Sequence, residues 1–429
     1  MARKSLGRHV LELAADTGLA AAAFAGPAAA LVLPRLPQLG AKPLEVSQLR
    51  SAYRLRWASF GAAALALGLL MRRRRGPERR AALAFDGISL GGLLALTPRL
   101  YRTELGLTRV SELVHVSVEA AAGLLHGDAQ VAGAFFNGRA VAYPVALLDL
   151  ARPFVDRVGG VPIVPLCDRR SHASLALVSG LDGKQLDLVR LGTPDNHVLL
   201  YDRATSNAFR PLTGRVEAGP DAGARLPVRP LLRCSWDAWR TLHPDTELAW
   251  WESPPVHALL HRLTPHELTV RHVPEEPLSR PLDARLPPAE RVFAVESGGV
   301  AHAFTRAFLK KHRVVPLRLA DRRVAVLYDE SLDVAQAFRA ELDRVELTLR
   351  PFRGMHAVAE DAEENLWDVT GRCIKGRAYG RRLAQVPMGV DQVFWFAWAH
   401  FHPHTGLDGW AQSSQRYAFA PGTESARRD

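Results

Sequence analysis

Residues 213–226 read TGRVEAGPDAGARL, and residues 370–383 read TGRCIKGRAYGRRL. One skeleton, TGR-x3-G-x3-G-x-R-L, therefore occurs twice, 157 positions apart. The match extends in both directions. Downstream, SWDAWRTLHPDT at Ser235–Thr246 answers FWFAWAHFHPHT at Phe394–Thr405. Their common pattern W-x-A-W-x3-H-P-x-T pairs Trp236 with Trp395, Trp239 with Trp398, His243 with His402 and Thr246 with Thr405. Upstream, NGRAVAYP (Asn137–Pro144) answers GGVAHAFT (Gly298–Thr305), and IVPLCD (Ile163–Asp168) answers VAVLYD (Val324–Asp329). The offset moves from 161 to 157 to 159 along the chain. Loops that change length between persistent elements produce such drift, so the pattern reads as an internal duplication.

The local chemistry predicts the elements of each copy. Asn137-Gly138 between apolar runs predicts a tight hairpin, because both turn positions need a positive φ. Ala173–Ser179 and Gln185–Leu191, split by LDGK, suggest a second hairpin, and His197–Tyr201 a further strand. Ser235 can cap a short helix that carries Trp236 and Trp239 on one face. Pro244 disfavours helix at His243 and ends it there. The Trp pair reads as a core anchor. Each copy is thus an α+β unit, rich in strands and closed by a short Trp-bearing helix.

Charge is distributed unevenly. The whole chain of 429 residues carries +11. Residues 1–110 hold 17 Lys/Arg against 6 Asp/Glu, while the rest holds 38 of each. The basic excess lies outside the repeats, which argues against a nucleic-acid footprint on the folded units. It accompanies three apolar runs, Thr17–Leu33, Trp57–Met71 and Ala81–Leu96. Each is slightly shorter than the roughly 20 residues of a bilayer span, and flanking residues can extend it. Buried Ala-rich helices would show the same runs, but RRRRGPERR between two of them suits anionic lipid heads better than a core. No clean cleavage site marks a signal peptide. By the positive-inside rule the 72–80 loop is cytoplasmic and 34–56 lies outside. A third span, which contains Asp86, would then deliver the large domain to the periplasm of a bacterial inner membrane. Three cysteines, Cys167, Cys234 and Cys373, allow one disulfide and match no zinc spacing.

The string LLYDRATSNAFRPLTGRVEAGPDAGARL, followed by WDAWRTLHPDT and closed by FWFAWAHFHPHT, resembles the bacterial domain-of-unknown-function family number 3179. The resemblance covers about residues 130–410 and includes NGRAVAYP and VGGVPI. It implies an N-terminal membrane or export segment and no assigned activity. Members usually show His-Glu before the Gly-Gly turn and Tyr-Cys-Pro-Leu-Cys after the next strand, a plausible metal or redox set. Aligned from Gly159-Gly160, this chain has Ala151 and Arg152 at the His-Glu positions. It has Asp168 and Ser171 at the Cys positions, with Cys167 at the Tyr. Copy two offers Tyr328, Asp329 and Leu332. Neither copy keeps the candidate ligands.

Several other groups could carry chemistry. Cys167 and Asp168 with His172 could form a relocated Cys-His site, though no third orienting group is evident. His400, His402 and His404 would share a face on a strand and could hold a metal, but Pro403 and the repeat place them at a helix end. The matched His243 and His402 suggest a structural hydrogen bond. His257 and His261, with His266 and His272, sit in a Pro-rich stretch and read as solvated. Glu360, Asp361, Glu363 and Glu364 read as a solvated acidic run rather than a cation site. No phosphate loop, G-x-S-x-G or H-E-x-x-H is present.

These readings give five segments. Residues 1–110 form a membrane segment of about three helices. Residues 111–250 form the first repeat, 251–289 a Pro/His-rich linker, 290–410 the second repeat, and 411–429 a polar tail. The expected role is that of a membrane-anchored, periplasm-facing binding or structural protein with no cofactor. Its partners are the lipid bilayer and another membrane or periplasmic protein, with no nucleic acid. The alternative is a metal-dependent or redox enzyme using Cys167/Asp168/His172 or His400/His402/His404. A transporter accessory is a third reading, resting on the apolar runs alone.

Overall fold

The computed structural model describes residues 112–178, 186–251, 278–354 and 356–409, together with residues 46, 47, 50, 110 and 274. The three apolar runs, the 411–429 tail and residues 252–273 of the linker lie outside the described residues. Among the described residues no helix is long and apolar enough to cross a membrane. What is described is mostly β-strand with a few short helices.

Each half is organised on a sheet that ends in the Trp helix. In the first half, β1 (Val114–Ser117) leads through a one-turn helix, α1 (Val118–Ala121), to the hairpin of β2 (Gln130–Phe136) and β3 (Arg139–Pro144). Asn137 and Gly138 form its turn with φ of 47° and 82°, as the Asn-Gly pair predicts. Helix α2 (Val145–Leu150) then precedes a meander of β4 (Asp156–Val158), β5 (Val161–Asp168) and β6 (Ala173–Val178). A second meander follows: β7 (Leu188–Gly192), β8 (Leu199–Asp202), β9 (Ala208–Arg210) and β10 (Arg215–Ala218). The chain closes through β11 (Val228–Pro230), β12 (Leu232–Ser235), helix α3 (Trp236–Leu242) and β13 (Glu247–Trp250).

The second half repeats the plan. It runs β14 (Arg291–Ser297), β15 (Val300–Thr305), α4 (Arg306–His312), β16 (Val314–Leu319), β17 (Arg322–Asp329) and β18 (Val334–Arg339). A small hairpin, β19 (Glu341–Leu342) and β20 (Val345–Glu346), is inserted. Then come β21 (Arg350–Gly354), β22 (Ala357–Glu360), β23 (Leu366–Trp367), β24 (Cys373–Lys375), β25 (Met388–Phe394), α5 (Trp395–Phe401) and β26 (Gly406–Asp408). Strand order is β12-β2-β3-β13-β1 in one central sheet and β25-β14-β15-β26 in the other, so the first has an extra edge strand. Both contain one parallel pair, β13 on β3 and β26 on β15, within otherwise antiparallel ladders. Gly298 and Gly299 reproduce the hairpin turn with φ of 60° and 82°.

One pairing departs from the sequence reading. Ala173–Val178 does not form a hairpin with the strand beyond LDGK. It lies between β5 and β11, while β7 pairs with β8. Strand alternation fits either partner, and only tertiary packing selects one.

The halves are not separate beads. In β2, Val131 faces one core while Ala132 and Ala134 face another. The Val131 core contains Trp236 and Trp239 together with Leu327, Phe338, Trp367 and Leu383 of the second half. Reciprocally, Trp395 and Trp398 pack with Leu166, Leu175, Leu200 and Phe209 of the first half. The other face of each central sheet packs within its own half. Each Trp helix is therefore buried under the meanders of the opposite copy. The end of the linker is docked too, since Arg285 Nη1 donates to Thr405 O at 2.9 Å and Trp395 Nε1 to Asp283 O at 3.1 Å.

Candidate functional site between the copies

The duplicated TGR stretch is a backbone knot. Leu226 N donates to Gly214 O at 2.7 Å, and Leu383 N to Gly371 O at 2.9 Å. Val216 N reaches Ala224 O, and Cys373 N reaches Arg381 O, at 2.9 and 2.8 Å. The middle glycines have φ of 135° (Gly219) and 111° (Gly376). A Cβ on either would lie 2.3 Å from an Asn side-chain oxygen, that of Asn207 or Asn365. Those two oxygens accept from Asp221 N and Ala378 N, at 3.1 and 3.0 Å. Glycine is required for both conformation and space, and the skeleton holds shape rather than substrate.

The Trp motif is likewise a lock. Ser235 Oγ caps α3 by accepting from Ala238 N at 3.2 Å. Trp239 Nε1 donates to Thr246 Oγ1 at 2.7 Å, and Trp398 Nε1 to Thr405 Oγ1 at 3.0 Å. The recurrent histidines lie against their Trp rings and form no side-chain hydrogen bond among the described residues, which corrects the sequence reading. His243 lies 4.3 Å from the Trp239 ring and His402 3.9 Å from that of Trp398. Burial drives both imidazoles toward the neutral form, His243 to about 3 and His402 to about 4.

The sequence-derived sites do not assemble. Cys167 and Asp168 are neighbours on β5 and project to opposite faces. Cys167 Sγ lies 3.4 Å from Ser174 Oγ, and burial raises its pKa despite the pull of Arg233. A buried, protonated thiol is a poor nucleophile. Asp168 accepts from Ser171 Oγ (2.8 Å) and Val198 N (3.0 Å), and His197 Nδ1 approaches to 3.0 Å. Burial alone would raise the Asp168 pKa, but His197 and those donors outweigh it and hold the carboxyl below its usual range. His172 turns toward copy two: Nδ1 is 2.8 Å from Gln392 O and the ring 5.0 Å from Phe394. Burial, aided by Arg233, lowers its pKa to about 3.

His400, His402 and His404 part company at the end of α5. His400 Nε2 faces Asp195 Oδ2 at 3.6 Å, His402 lies on Trp398, and His404 is exposed. No group of three or more His, Cys, Asp or Glu among the described residues is arranged to hold a metal. All three cysteines are free, so the optional disulfide is not formed. The acidic run also needs correction, because Asp361 is buried. Its carboxylate accepts from Glu363 N, Asn365 N and Trp367 Nε1 at 2.9–3.0 Å, and organises the turn before the knot. His257, His261, His266 and His272 lie outside the described residues.

What does converge is a polar junction at the seam of the copies. A register shift in β25 gives Gln392 a φ of 59°. Gln392 takes His172 on its carbonyl and Arg291 Nη1 on Oε1 at 3.4 Å. Beside it, Asp391 pairs with Arg306 Nη1 at 2.7 Å and accepts from Ala335 N at 2.9 Å. Burial raises this carboxyl to about 6 against the pull of Arg306. Bulges often sit beside functional sites and re-aim side chains. The sequence signal was available. Gln392 aligns with Arg233 by the Trp pairing, so each copy carries a polar residue inside its last core strand.

The family whose description reads "Protein of unknown function (DUF3179)" matches residues 109–405. No curated protein matched the chain, and neither did any solved structure. The match spans both copies of the knot, both Trp helices and the seam between them, and the chain therefore belongs to this DUF3179 family of unknown function.

Proposed function

We propose that the chain is a tandem-duplicated, membrane-tethered binding protein whose body faces the periplasm. One observation carries the orientation. Arg50 Nε donates to Ser206 O at 2.9 Å, and Val46 packs against the Tyr201–Ala208 cluster. Both residues belong to the 34–56 loop, which the positive-inside rule puts outside. A loop that touches the body supports placing the body on the same side. The binding role is supported by the contrast between the copies. Their shared motifs are spent on knots and locks, while the polar groups that differ gather at the seam. Two outcomes test the reading. A reporter fused after Gly106 should be active only in its periplasmic form. Protein purified without a His tag should carry no stoichiometric transition metal; metal lost in Cys167→Ser and Asp168→Asn variants would establish the redox alternative instead.

A further inference from the structure

Arg233 occupies an unusual place. Its strand neighbours Leu232 and Cys234 face the core shared with copy two. Arg233 therefore projects to the other face of β12, toward the cluster that holds Ala132, Leu148 and Cys167. No hydrogen bond from its side chain is formed among the described residues, and its Nε is buried without a partner. Arg190, on β7, reaches the same cluster: Nη2 donates weakly to Leu148 O at 3.4 Å, and its Nε is also buried and unpartnered. Both residues remain partly exposed. The carboxylate next to Leu148 is Asp149 of α2, whose side chain keeps 27% exposure. Its pairing with Arg169 is loose, at 4.0 Å. Burial raises the Asp149 pKa and Asp168 adds to the rise, while Arg190, Arg169 and Arg233 pull it back.

The charges do not balance. Arg190, Arg169 and Arg233 act on Asp149, the neighbouring Asp168 is taken up by His197 at 3.0 Å, and Arg291 of copy two adds a further positive field at Arg233. A recessed guanidinium without a partner is costly, and buried donors are normally satisfied. The fork of an arginine matches the two oxygens of a carboxylate or phosphate. We propose that this arginine cluster binds a small oxyanion carrying two negative charges, gripped by Arg190 and Arg233, with Asp149 and Arg169 beside them. The inference rests on the binding-protein reading and names the ligand class. Cys167 belongs to the same cluster as a packed thiol.

Isothermal titration of the full chain in detergent tests it, with inorganic phosphate and succinate titrated separately at constant ionic strength set by chloride. One saturable site per chain is expected for at least one probe, and the better probe separates a phosphate from a carboxylate ligand. Arg190→Gln and Arg233→Gln should each weaken binding at least about tenfold, the loss of one charge-assisted contact. Asp149→Asn should tighten it, because the internal competitor is gone. Arg350→Gln, on exposed β21, should change nothing. Thermal melts check folding; should Arg233→Gln fail to fold, Arg190→Gln and Asp149→Asn still decide. Absence of saturable binding in the unmodified chain would overturn the proposal, as would equal affinity in the Arg190→Gln protein. Neither result depends on where the reporter is active or whether metal is found.

Discussion

Two equivalent places in the copies solve one packing problem differently. At the first, His243 is held between Trp239 and Phe135, whose rings lie 4.3 and 5.0 Å away, and Arg382 covers Phe135 at 4.2 Å. At the second, His402 stacks on Trp398, but Glu296 stands where Phe135 would be and meets Arg225 Nη1 at 3.3 Å. Arg225 and Arg382 are the same residue of the duplicated knot. Each reaches across to the opposite copy, one to a carboxylate and one to a ring. The Trp–Thr bond, the His stack and the knot fix the backbone, so they recur. The filler beside them needs only to accept a cation, which a ring face and a carboxylate both do.

The largest expected effect tests whether the two places belong to one cooperative unit. Trp239→Ala and Trp398→Ala should each cost about 3–5 kcal/mol through the cavity left behind. Because each Trp helix lies under the other copy, both variants should melt in one transition, followed by circular dichroism and Trp fluorescence together. Two separated transitions would break the comparison and restore two independent domains.

Acid should act on both places in the same direction. His243 and His402 titrate near 3 and 4 when folded, and His172 near 3, against an ordinary value of 6.5. The unfolded chain takes up these protons first. The stabilisation is therefore complete above pH 6.5 and drains away as pH falls toward 4 and 3, on the order of 3–5 kcal/mol for each histidine. His115 works oppositely. Asp156, hydrogen-bonded at 2.9 Å, raises its pKa against burial, and Glu247 adds to the rise. Its contribution is present below 6.5 and lost as pH climbs through the raised value. Denaturant melts from pH 3 to 9 should show the acid loss shrink in His243→Gln and His402→Gln, while His115→Gln removes the alkaline loss.

Much of this was legible in the chain. The knot, the Trp helix, its Ser235 cap and the Asn137-Gly138 turn all rest on bonds between residues fewer than 15 apart, and such bonds leave a spacing in the sequence. The exchange of helices between copies leaves none, because Val131 and Val292 look alike whichever meander covers them. The acidic run misled for a related reason: Asp361 is surrounded by charged neighbours in sequence but by Asn365 and Trp367 in space. The cluster around Arg233 draws on α2, β5, β7 and β12, so no window along the chain contains it. A polar residue inside an apolar strand was its one local trace.

A smaller effect should come from the Trp–Thr bonds. Thr246→Val and Thr405→Val keep the volume and strand the indole Nε1 without an acceptor. The cost of a buried unsatisfied donor is about 1–3 kcal/mol. The two variants should agree closely, since the bond lengths are 2.7 and 3.0 Å and both threonines are buried. Calorimetry that finds one of them silent would show that the lock has decayed in that copy.

The smallest effect isolates the filler itself. Arg225 is 59% exposed, so its pair with Glu296 is screened and contributes below about 1 kcal/mol. Glu296 Oε1 also accepts from Gly299 N at 2.9 Å, a bond that glutamine can keep. Glu296→Gln should therefore barely move the melting temperature, and what it does cost should vanish at high salt. Its imprint should appear at His402 instead. There burial pushes the imidazole toward the neutral form, Glu296 resists, and Arg225 adds to the push. Without the carboxylate, the His402 titration followed by NMR should move to still lower pH, while that of His243, beside Phe135, stays where it is. Glu296→Phe should reproduce the first copy's arrangement in the second, with Arg225 over the new ring and the salt dependence abolished. If that variant instead unfolds, the two fillers are not interchangeable, and the backbone frames of the copies differ at this position.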